Sequence, residues 1–408
     1  MDEIKAKETI DLIESKLKSK FKQIEDVALF NQQKVLNAFV DARVALSQFA
    51  SSTGYGYEDL ARPKLNELYA KVFKTESAIV SPLITCGTHA IYLALSGVLR
   101  PGDNFISVTG DPYDTLMDSI LKKGNGSLAD FGISFNKVEM IGSKVNLSLS
   151  KKLAKKLKPK LIYLQRSRGY STRNSLSVDY IGEVIKALKE VCPNAIFMVD
   201  NCYGEFCETI EPTEVGADII AGSLIKNIGG GIAPTGGYIA GKEKYINQIY
   251  NRLTCPSLGG EVGSYAGSYV PYFEGLFIAP HVVSGAIKGN LLLGKVAEYC
   301  GFKTSPKTDK IPEDLIRTIE FNDEKKMVSF IQTVQSISPV DSFVRPEPWD
   351  MPGYTSKVIM AAGTFIQGSS IEFSCDGPIK PPYIAYMQGG LTYEHVKIAA
   401  IYLLKNQG

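Results

Sequence analysis

Apolar residues recur every three or four positions among lysines and glutamates over residues 1–50, for example at Ile10 and Ile13. This spacing places them on one face of a helix. We therefore predict amphipathic helices that pack on the core of the protein or on a partner subunit. Gly54 and Gly56 then interrupt the helical pattern, because glycine adopts backbone angles that other residues avoid.

Between about residues 60 and 290, short apolar runs alternate with helical segments. The runs predicted to form strands are residues 77–80, 104–108, 161–164, 196–199, 219–221 and 237–240. Helices are predicted between them, including residues 89–98 and 180–191. Such alternation is typical of βαβ units, in which helices cover both faces of a mainly parallel sheet. Ligands of these sheets bind at the carboxyl ends of the strands.

The pattern changes after residue 290, where we predict a smaller α+β domain. Helices are expected at residues 291–300, 322–333 and 392–405, strands at 358–362 and 370–374, and Pro-rich loops at 345–348 and 351–353. We interpret residues 1–50 as an N-terminal helical segment, residues 51–290 as a large domain and residues 291–408 as a small C-terminal domain. A chain of 408 residues can bury a large core.

The charge balance excludes some classes of function. Lys and Arg total 45 and Asp and Glu total 43, giving a net charge of +2, which does not favour binding to nucleic acid or to a membrane surface. We expect no apolar run near the ~18 residues that span a bilayer, and the charged N-terminus does not resemble a secretory signal.

Seven cysteines without a CxxC pair favour a cytoplasmic protein. Three scattered histidines predict no metal site.

Two polar residues follow strands of the predicted sheet. Asp200 comes directly after residues 196–199, and Lys226 follows residues 219–221 and precedes a glycine-rich stretch. A buried carboxylate is costly unless a positive group faces it, so Asp200 is either a ligand-facing residue or the N-cap of a helix. A lysine packed among glycines suits Schiff-base chemistry, because burial lowers the pKa of its amine. The alternative is a solvated lysine in a flexible loop.

A third signal lies at the start of the helix predicted at residues 89–98. Gly87 and Thr88 would occupy its N-terminus, where free N–H groups bind phosphate, although Thr88 can equally be only an N-cap. Ser223 would add a second hydroxyl. Pyridoxal phosphate requires a phosphate-binding helix N-terminus, an aspartate at a strand end and a lysine. The sequence contains these three parts in this order. We therefore expect this cofactor.

Longer motifs resemble a bacterial family of pyridoxal-phosphate proteins described as cystathionine β-lyase-like, methionine γ-lyase-like or aluminium-resistance proteins. The matching segments are GYGYEDL (54–60), GTHA (87–90), DPYDTL (111–116), QRSRGY (165–170), VDNCYGEF (199–206), GSLIKN (222–227), PEPW (346–349) and QGGLT (388–392). The resemblance implies the α/β fold of pyridoxal-phosphate-dependent transferases of the aspartate aminotransferase type (fold type I). It also implies a homodimer or homotetramer with active sites at subunit interfaces.

The resemblance further implies roles for individual residues. Lys226, Asp200 and Tyr113 would be catalytic, as the Schiff-base lysine, the partner of the ring nitrogen and the residue that stacks on the ring. The other implied cofactor-binding residues are Cys86, Gly87, Thr88, Tyr203, Ser223, Tyr57 and Arg62, the last two reaching the phosphate of a neighbouring subunit. His89, one residue inside the predicted helix, is a further candidate for contact with the cofactor. Arg168, which follows a predicted strand, is expected to bind the substrate carboxylate, with Arg345 as the alternative. Tyr113, His89 and both arginines can instead be structural.

Three functions remain compatible with the sequence. The first, which we favour, is cleavage of a carbon–sulfur bond in a cystathionine- or methionine-type amino acid by β- or γ-elimination. The second is another pyridoxal-phosphate reaction, such as transamination, racemisation, an aldolase-type reaction or γ-replacement. The third is a cofactor-bearing stress or metal-tolerance protein, because a fold does not settle a function. For each we expect a small-molecule ligand and no nucleic-acid or membrane partner.

Overall fold

A computed structural model describes residues 1–351 and 356–406. Its α-helices are α1 (Glu3–Ser15), α2 (Lys18–Asp41), α3 (Ala61–Val72), α4 (Gly87–Val98), α5 (Asp114–Leu121), α6 (Leu147–Leu157), α7 (Val178–Lys189), α8 (Glu243–Leu253), α9 (Val270–Tyr299), α10 (Glu324–Ser336) and α11 (Tyr393–Asn406). Its strands are β1 (Ser77–Ser81), β2 (Asn104–Ser107), β3 (Ser134–Lys137), β4 (Leu161–Gln165), β5 (Ile196–Asp200), β6 (Ile219–Ser223), β7 (Gly237–Gly241), β8 (Lys303–Ser305), β9 (Arg317–Glu320), β10 (Val358–Ala361), β11 (Ser374–Pro378) and β12 (Ile384–Gln388). Residues 352 and 353 of the loop predicted at 351–353 lie outside the described residues.

The first seven strands form one sheet in the order β1-β7-β6-β5-β4-β2-β3. Strand β7 runs antiparallel to both of its neighbours, and the other pairs are parallel. Alternate residues of each strand belong to two separate hydrophobic clusters, with Tyr163 and Met198 in one and Leu164 and Val199 in the other. Since successive side chains of a strand point to opposite faces, helices cover both faces, and the predicted mainly parallel sheet is confirmed.

Strand β3 was not predicted. It lies at the edge of the sheet, paired only with β2, and reads Ser-Phe-Asn-Lys. All four of its residues are at least partly exposed. An exposed edge strand needs no apolar run, so the hydrophobic pattern of the sequence carries no sign of it.

Helix α9 is 30 residues long and includes Pro280. An 18-residue window of it has a mean hydropathy of 1.4, so it is long and apolar enough to cross a membrane, and 72% of that window is buried inside the protein. The expectation of no such segment is therefore wrong, and the segment is a helix of the core. The helix predicted at residues 291–300 is only its last part. Gly289 contributes to this packing, because a Cβ there would lie 2.7 Å from Val396 of α11.

The remaining five strands form an antiparallel sheet in the order β10-β11-β12-β9-β8. Helices α10 and α11 correspond to the predicted helices 322–333 and 392–405, and β10 to the predicted strand 358–362. The strand predicted at residues 370–374 is wrong, because β11 begins only at Ser374. The residues before it form tertiary contacts instead, since the Glu372 carboxylate accepts the backbone N–H groups of Phe365 and Ile366 at 2.8 and 2.9 Å.

The two N-terminal helices lie against the rest of the chain. Helix α2 packs along α9, and α1 packs on α11. The predicted apolar face of this segment is buried there, including Ile10 and Ile13. Packing on the core is therefore confirmed for this face.

Candidate active site

The carboxyl ends of β4, β5 and β6 meet at one edge of the large sheet. Gln165 of β4 pairs with Asp200 of β5, and Asp200 pairs with Ala221 of β6. The turn after β6 brings Lys226 back to this edge. A cavity of about 460 Å³ opens here and is lined by residues of both sheets. This is the position at which parallel sheets bind their ligands.

The amine of Lys226 opens onto the cavity. Its Nζ atom lies 4.1 Å from the centre of the Tyr203 ring. Burial acts to lower the pKa of this amine, but Cys202, Tyr203 and Asp200 around it raise the pKa well above its ordinary value. The expectation that burial lowers the pKa of Lys226 is therefore wrong, because the groups that face the amine outweigh burial.

The carboxyl group of Asp200 is buried at the end of β5. Its Oδ1 atom accepts the backbone N–H of Cys202 at 3.1 Å, and its Oδ2 atom accepts the hydroxyl of Tyr163 at 3.3 Å. Burial raises the pKa of Asp200, while Lys226 and these two donors act to lower it. Turns follow the strand rather than a helix, so the alternative role of Asp200 as an N-cap is wrong.

Tyr113 joins the cavity to the start of α4. Its hydroxyl donates to Thr88 Oγ1 at 3.1 Å, and its backbone N–H donates to Gln165 Oε1 at 3.2 Å. Burial and the nearby Asp200 raise the pKa of Tyr113. The phenol therefore stays neutral and is held at both its backbone and its hydroxyl.

Helix α4 begins beside the end of β6. Its N-cap is Cys86, whose Sγ accepts the backbone N–H of His89 at 3.5 Å, so the alternative role of Thr88 as the N-cap is wrong. A Cβ on Gly87 would lie 3.2 Å from Ser223 Cβ. Glycine thus lets the helix N-terminus approach the Ser223 side chain closely, which is an arrangement suited to phosphate. The His89 ring points back to the preceding loop, where Nδ1 accepts the N–H of Thr85 at 3.1 Å.

Arg168 lines the cavity and is 2% exposed. Its Nη1 atom donates to Ser305 Oγ at 3.0 Å, and its Nε atom lies 4.0 Å from Asp314 Oδ2. Within residues 1–351 and 356–406, its Nε and Nη2 atoms have no hydrogen-bond partner. A buried guanidinium with unused donors beside a cavity is suited to a carboxylate ligand.

Eight predicted site residues do not line this cavity. Five of them lie at the start of α4 and the end of β6, namely Cys86, Gly87, Thr88, His89 and Ser223, and the other three lie further away. Tyr57 is 66% exposed and stacks on Tyr55, with ring centres 5.3 Å apart. Arg62 is buried and donates from Nη2 to the carbonyl oxygen of Gly56 at 3.1 Å. Arg345 has a side chain that is 78% exposed. The role of Tyr57 and Arg62 at a neighbouring subunit stays a prediction.

The structure adds residues that the sequence did not single out. Tyr163 sits inside an apolar strand and donates to Asp200, and Gln165 holds the backbone of Tyr113. A polar atom inside an otherwise apolar strand is a signal that could have found Tyr163. Tyr170 and Asp376 also line the cavity. No sequence signal connects these two residues, because they are far apart in the chain.

These side chains fit pyridoxal phosphate. The amine of Lys226 suits its aldehyde, and the buried carboxylate of Asp200 suits its ring nitrogen. Gly87 leaves the start of α4 open beside Ser223, which suits its phosphate. A fold with these parts at the strand ends is that of the pyridoxal-phosphate-dependent proteins of fold type I. Within the described residues, no three His, Cys, Asp or Glu side chains form a group that could hold a metal ion.

Comparison with known proteins shows the family. The model of the methionine gamma-lyase family matches residues 6–407, and the chain belongs to this family. It is 48% identical over 397 residues to the uncharacterised protein YnbB of Bacillus subtilis, covering 96% of this chain and 94% of YnbB.

Two solved structures of similar sequence have the same fold. One is a carbon–sulfur lyase involved in aluminium resistance from Clostridium novyi, with 47% identity, a TM-score of 0.94 and coverage of 99% of this chain and 95% of that one. The other, from Clostridium acetobutylicum, is described provisionally as a cystathionine beta-lyase involved in aluminium resistance, with 50% identity, a TM-score of 0.95 and coverage of 98% and 95%.

More distant structures support the fold alone. A pyridoxal-phosphate-dependent protein, YhfS of Escherichia coli, has a TM-score of 0.64 at 16% identity. Cystathionine gamma synthase from Xanthomonas oryzae has a TM-score of 0.62 at 16% identity. The predicted fold type I is confirmed.

Proposed function

We propose that the protein is a pyridoxal-phosphate-dependent lyase that cleaves a carbon–sulfur bond of an amino acid by β- or γ-elimination. The observation that carries this proposal is the amine of Lys226, which faces Asp200 and Tyr113 in one cavity. The methionine gamma-lyase family and the carbon–sulfur lyase of Clostridium novyi support the choice of a sulfur-containing substrate.

The chain offers a partner for each part of the cofactor. Lys226 would hold its reactive carbon, Asp200 its ring nitrogen and Tyr113 its ring, while Gly87, Thr88 and Ser223 would hold its phosphate. When bound, pyridoxal phosphate acts as an electron sink that allows Cα of an amino acid to lose its proton. Cys202 and Tyr163 donate to the Asp200 carboxylate and favour its charged form, against the effect of burial.

Lys226 and Arg168 would act on the substrate. The Nζ atom of Lys226, in its neutral form, is the base that removes the proton from Cα, and the Tyr203 ring holds this atom in place. Arg168 would bind the α-carboxylate with Nε and Nη2, the two donors that are unused among the described residues. A planar guanidinium can grip both oxygens of the carboxylate, which fixes the direction of Cα.

We also propose that the protein acts in the cytoplasm as a homodimer or homotetramer. All seven cysteines are free, which agrees with a reducing compartment. Large apolar side chains are exposed on α2 and just after it, including Leu29, Val40 and Leu46. Several large exposed apolar side chains in one segment support a subunit interface.

Product analysis tests the reaction. The holoenzyme is incubated with S-alkyl cysteines, cystathionine and methionine, and released thiol, ammonia and keto acid are measured. We expect all three products from at least one substrate, none from Lys226→Ala, and unchanged rates from the control Lys244→Ala, an exposed lysine. Transfer of the amino group to an added keto acid without thiol release would instead identify an aminotransferase. Bound cofactor without turnover of any substrate would favour the stress-protein alternative.

A further inference from the structure

We propose that Asp376, together with the rings of Tyr170 and Tyr386, forms a binding site for a positively charged group on the side chain of the substrate. This inference rests on the proposed function and names the class of substrate: amino acids whose sulfur-linked substituent ends in an ammonium group. No part of the assigned reaction uses Asp376.

The carboxyl group of Asp376 has one occupied and one unused oxygen. It lies on β11 and is 8% exposed. Its Oδ2 atom accepts the hydroxyl of Tyr170 at 2.6 Å. Its Oδ1 atom is buried without a hydrogen-bond partner in the part of the chain that the structure describes. Because an unpaired buried carboxylate oxygen is costly, and because Asp376 lines the cavity, a donor on the ligand is its natural partner.

Two aromatic rings stand beside this carboxyl group. Tyr170 and Tyr386 pack edge to face with ring centres 4.8 Å apart, and the Tyr386 hydroxyl donates to the Tyr170 carbonyl oxygen at 3.0 Å. Both residues line the cavity. Aromatic faces attract cations, most strongly where water is excluded. A carboxylate with neighbouring tyrosine rings is therefore suited to an ammonium group and poorly suited to an alkyl chain.

A continuous wall connects this site to the reacting lysine. Tyr386 packs with Ile316 and Ile384 against Tyr203, and the Tyr203 ring lies under the amine of Lys226. Asp376 is thus reached from Lys226 by way of two aromatic residues. This places it toward the end of the substrate side chain rather than at Cα.

The charged side chains that line the cavity would bind opposite ends of such a substrate. Arg168 offers unused donors to a carboxylate, and Asp376 offers an unused acceptor to a cation. No ion pair joins these two side chains within residues 1–351 and 356–406, and Arg168 is instead paired with Asp314 at 4.0 Å. A neutral thioether would leave the Asp376 oxygen unpaired, whereas an ammonium group would satisfy it.

A matched pair of substrates tests the inference. S-(2-aminoethyl)-L-cysteine and S-propyl-L-cysteine differ only in an ammonium group in place of a methyl group. For the holoenzyme, we expect kcat/KM to favour the aminoethyl compound by about tenfold or more, the order that one buried charge pair supplies. In Asp376→Asn the ratio should fall to about one, with the rate for S-propyl-L-cysteine almost unchanged. Asp376→Glu keeps the charge and should retain part of the preference.

Binding without turnover gives a second readout. L-lysine and L-norleucine carry no sulfur, and their dissociation constants are measured from the change in cofactor absorbance. We expect tighter binding of L-lysine to the wild-type protein and equal binding of both to Asp376→Asn. The wild-type comparison stands even if a variant fails to fold.

The outcomes separate this inference from the proposed function. Turnover of both cysteines at equal kcat/KM by the wild-type protein would overturn the inference and leave the lyase intact. An equal loss for both substrates in Asp376→Asn would also overturn it, because the residue would then act as a positioning group or proton donor. Failure of Lys226 to bind the cofactor would overturn the proposed function, and the inference with it.

Discussion

The Nζ atom of Lys226 lies 4.1 Å from the centre of the Tyr203 ring, and the backbone of Tyr203 has a φ angle of +69°. A tyrosine in the left-handed region costs about 1–3 kcal/mol and persists only where its surroundings hold it. Tyr203 lies in the turn that follows β5, and Asp200 is the last residue of that strand. The same turn therefore positions the Asp200 carboxylate and the ring that supports the lysine.

The ring of Tyr203 is expected to matter more than its hydroxyl. Tyr203→Phe keeps the face that contacts the amine and should change kcat by less than about threefold, whereas Tyr203→Leu loses the cation–π contact and should lower kcat about tenfold. Steady-state kinetics with thermal melting of each variant provides the measurement. Wild-type kcat in Tyr203→Leu would show that the ring does not hold the lysine.

Tyr163→Phe removes the only side-chain hydroxyl that donates to Asp200 among the described residues. Since that hydrogen bond lowers the pKa of Asp200, its loss should weaken the hold on a protonated ring nitrogen by about 1 kcal/mol, or about fivefold in affinity for pyridoxal phosphate. Fluorescence titration of the apoprotein measures this. Tyr180→Phe, whose hydroxyl accepts the N–H of Val145 elsewhere, is the control. Equal affinities for both variants would contradict the role of Tyr163.

Arg168→Lys keeps a positive charge but loses the planar fork. We expect KM to rise by about tenfold or more with a smaller change in kcat, because the α-carboxylate is bound in both the ground state and the transition state. Arg345→Lys is the matched control, since that exposed side chain does not line the cavity. A rise in KM for Arg345→Lys alone would show that Arg345, and not Arg168, binds the substrate carboxylate.

Asp376 is expected to reduce stability at neutral pH. Burial raises its pKa to about 6, although the Tyr170 hydroxyl acts to lower it, and an unfolded aspartate has a pKa of about 3.9. The folded protein therefore binds the proton more tightly, and stability falls as pH rises between these values. Tyr170, Tyr386 and Cys375 are the other titratable groups near the carboxyl.

Asp376→Asn should accordingly raise the free energy of unfolding at pH 8 by about 1–3 kcal/mol, with a smaller gain at pH 4.5. Urea unfolding at the two pH values measures the difference, with the exposed Asp309→Asn as control. An equal effect at both pH values would contradict the raised pKa. A stabilising substitution that also removes the preference for a cationic substrate would show that the carboxylate serves binding rather than folding.

The sequence predicts those parts of the site that follow directly from strand ends. Asp200, Lys226 and Gly87 each follow a predicted strand, and strands that run in the same direction place their carboxyl ends at one edge of the sheet. The sequence could not choose the N-cap of α4, which is Cys86 rather than Thr88, because that choice depends on backbone angles at the start of the helix.

Other features depend on contacts between distant parts of the chain. Tyr170 and Asp376 are 206 residues apart and meet only when the small sheet packs against the strand ends of the large one. Helix α9 is mostly apolar and mostly buried, so its amphipathic period is weak. The raised pKa of Lys226 likewise arises from groups on the β5 turn that no local pattern places beside it.

The central claim is that Lys226 carries pyridoxal phosphate. The most direct measurement is the visible absorption spectrum of the purified protein before and after borohydride reduction, followed by mapping of the labelled peptide. We predict a yellow protein whose band is lost on reduction, with the label on Lys226. A protein that stays colourless after addition of pyridoxal phosphate, or a label on a different lysine, would contradict the claim.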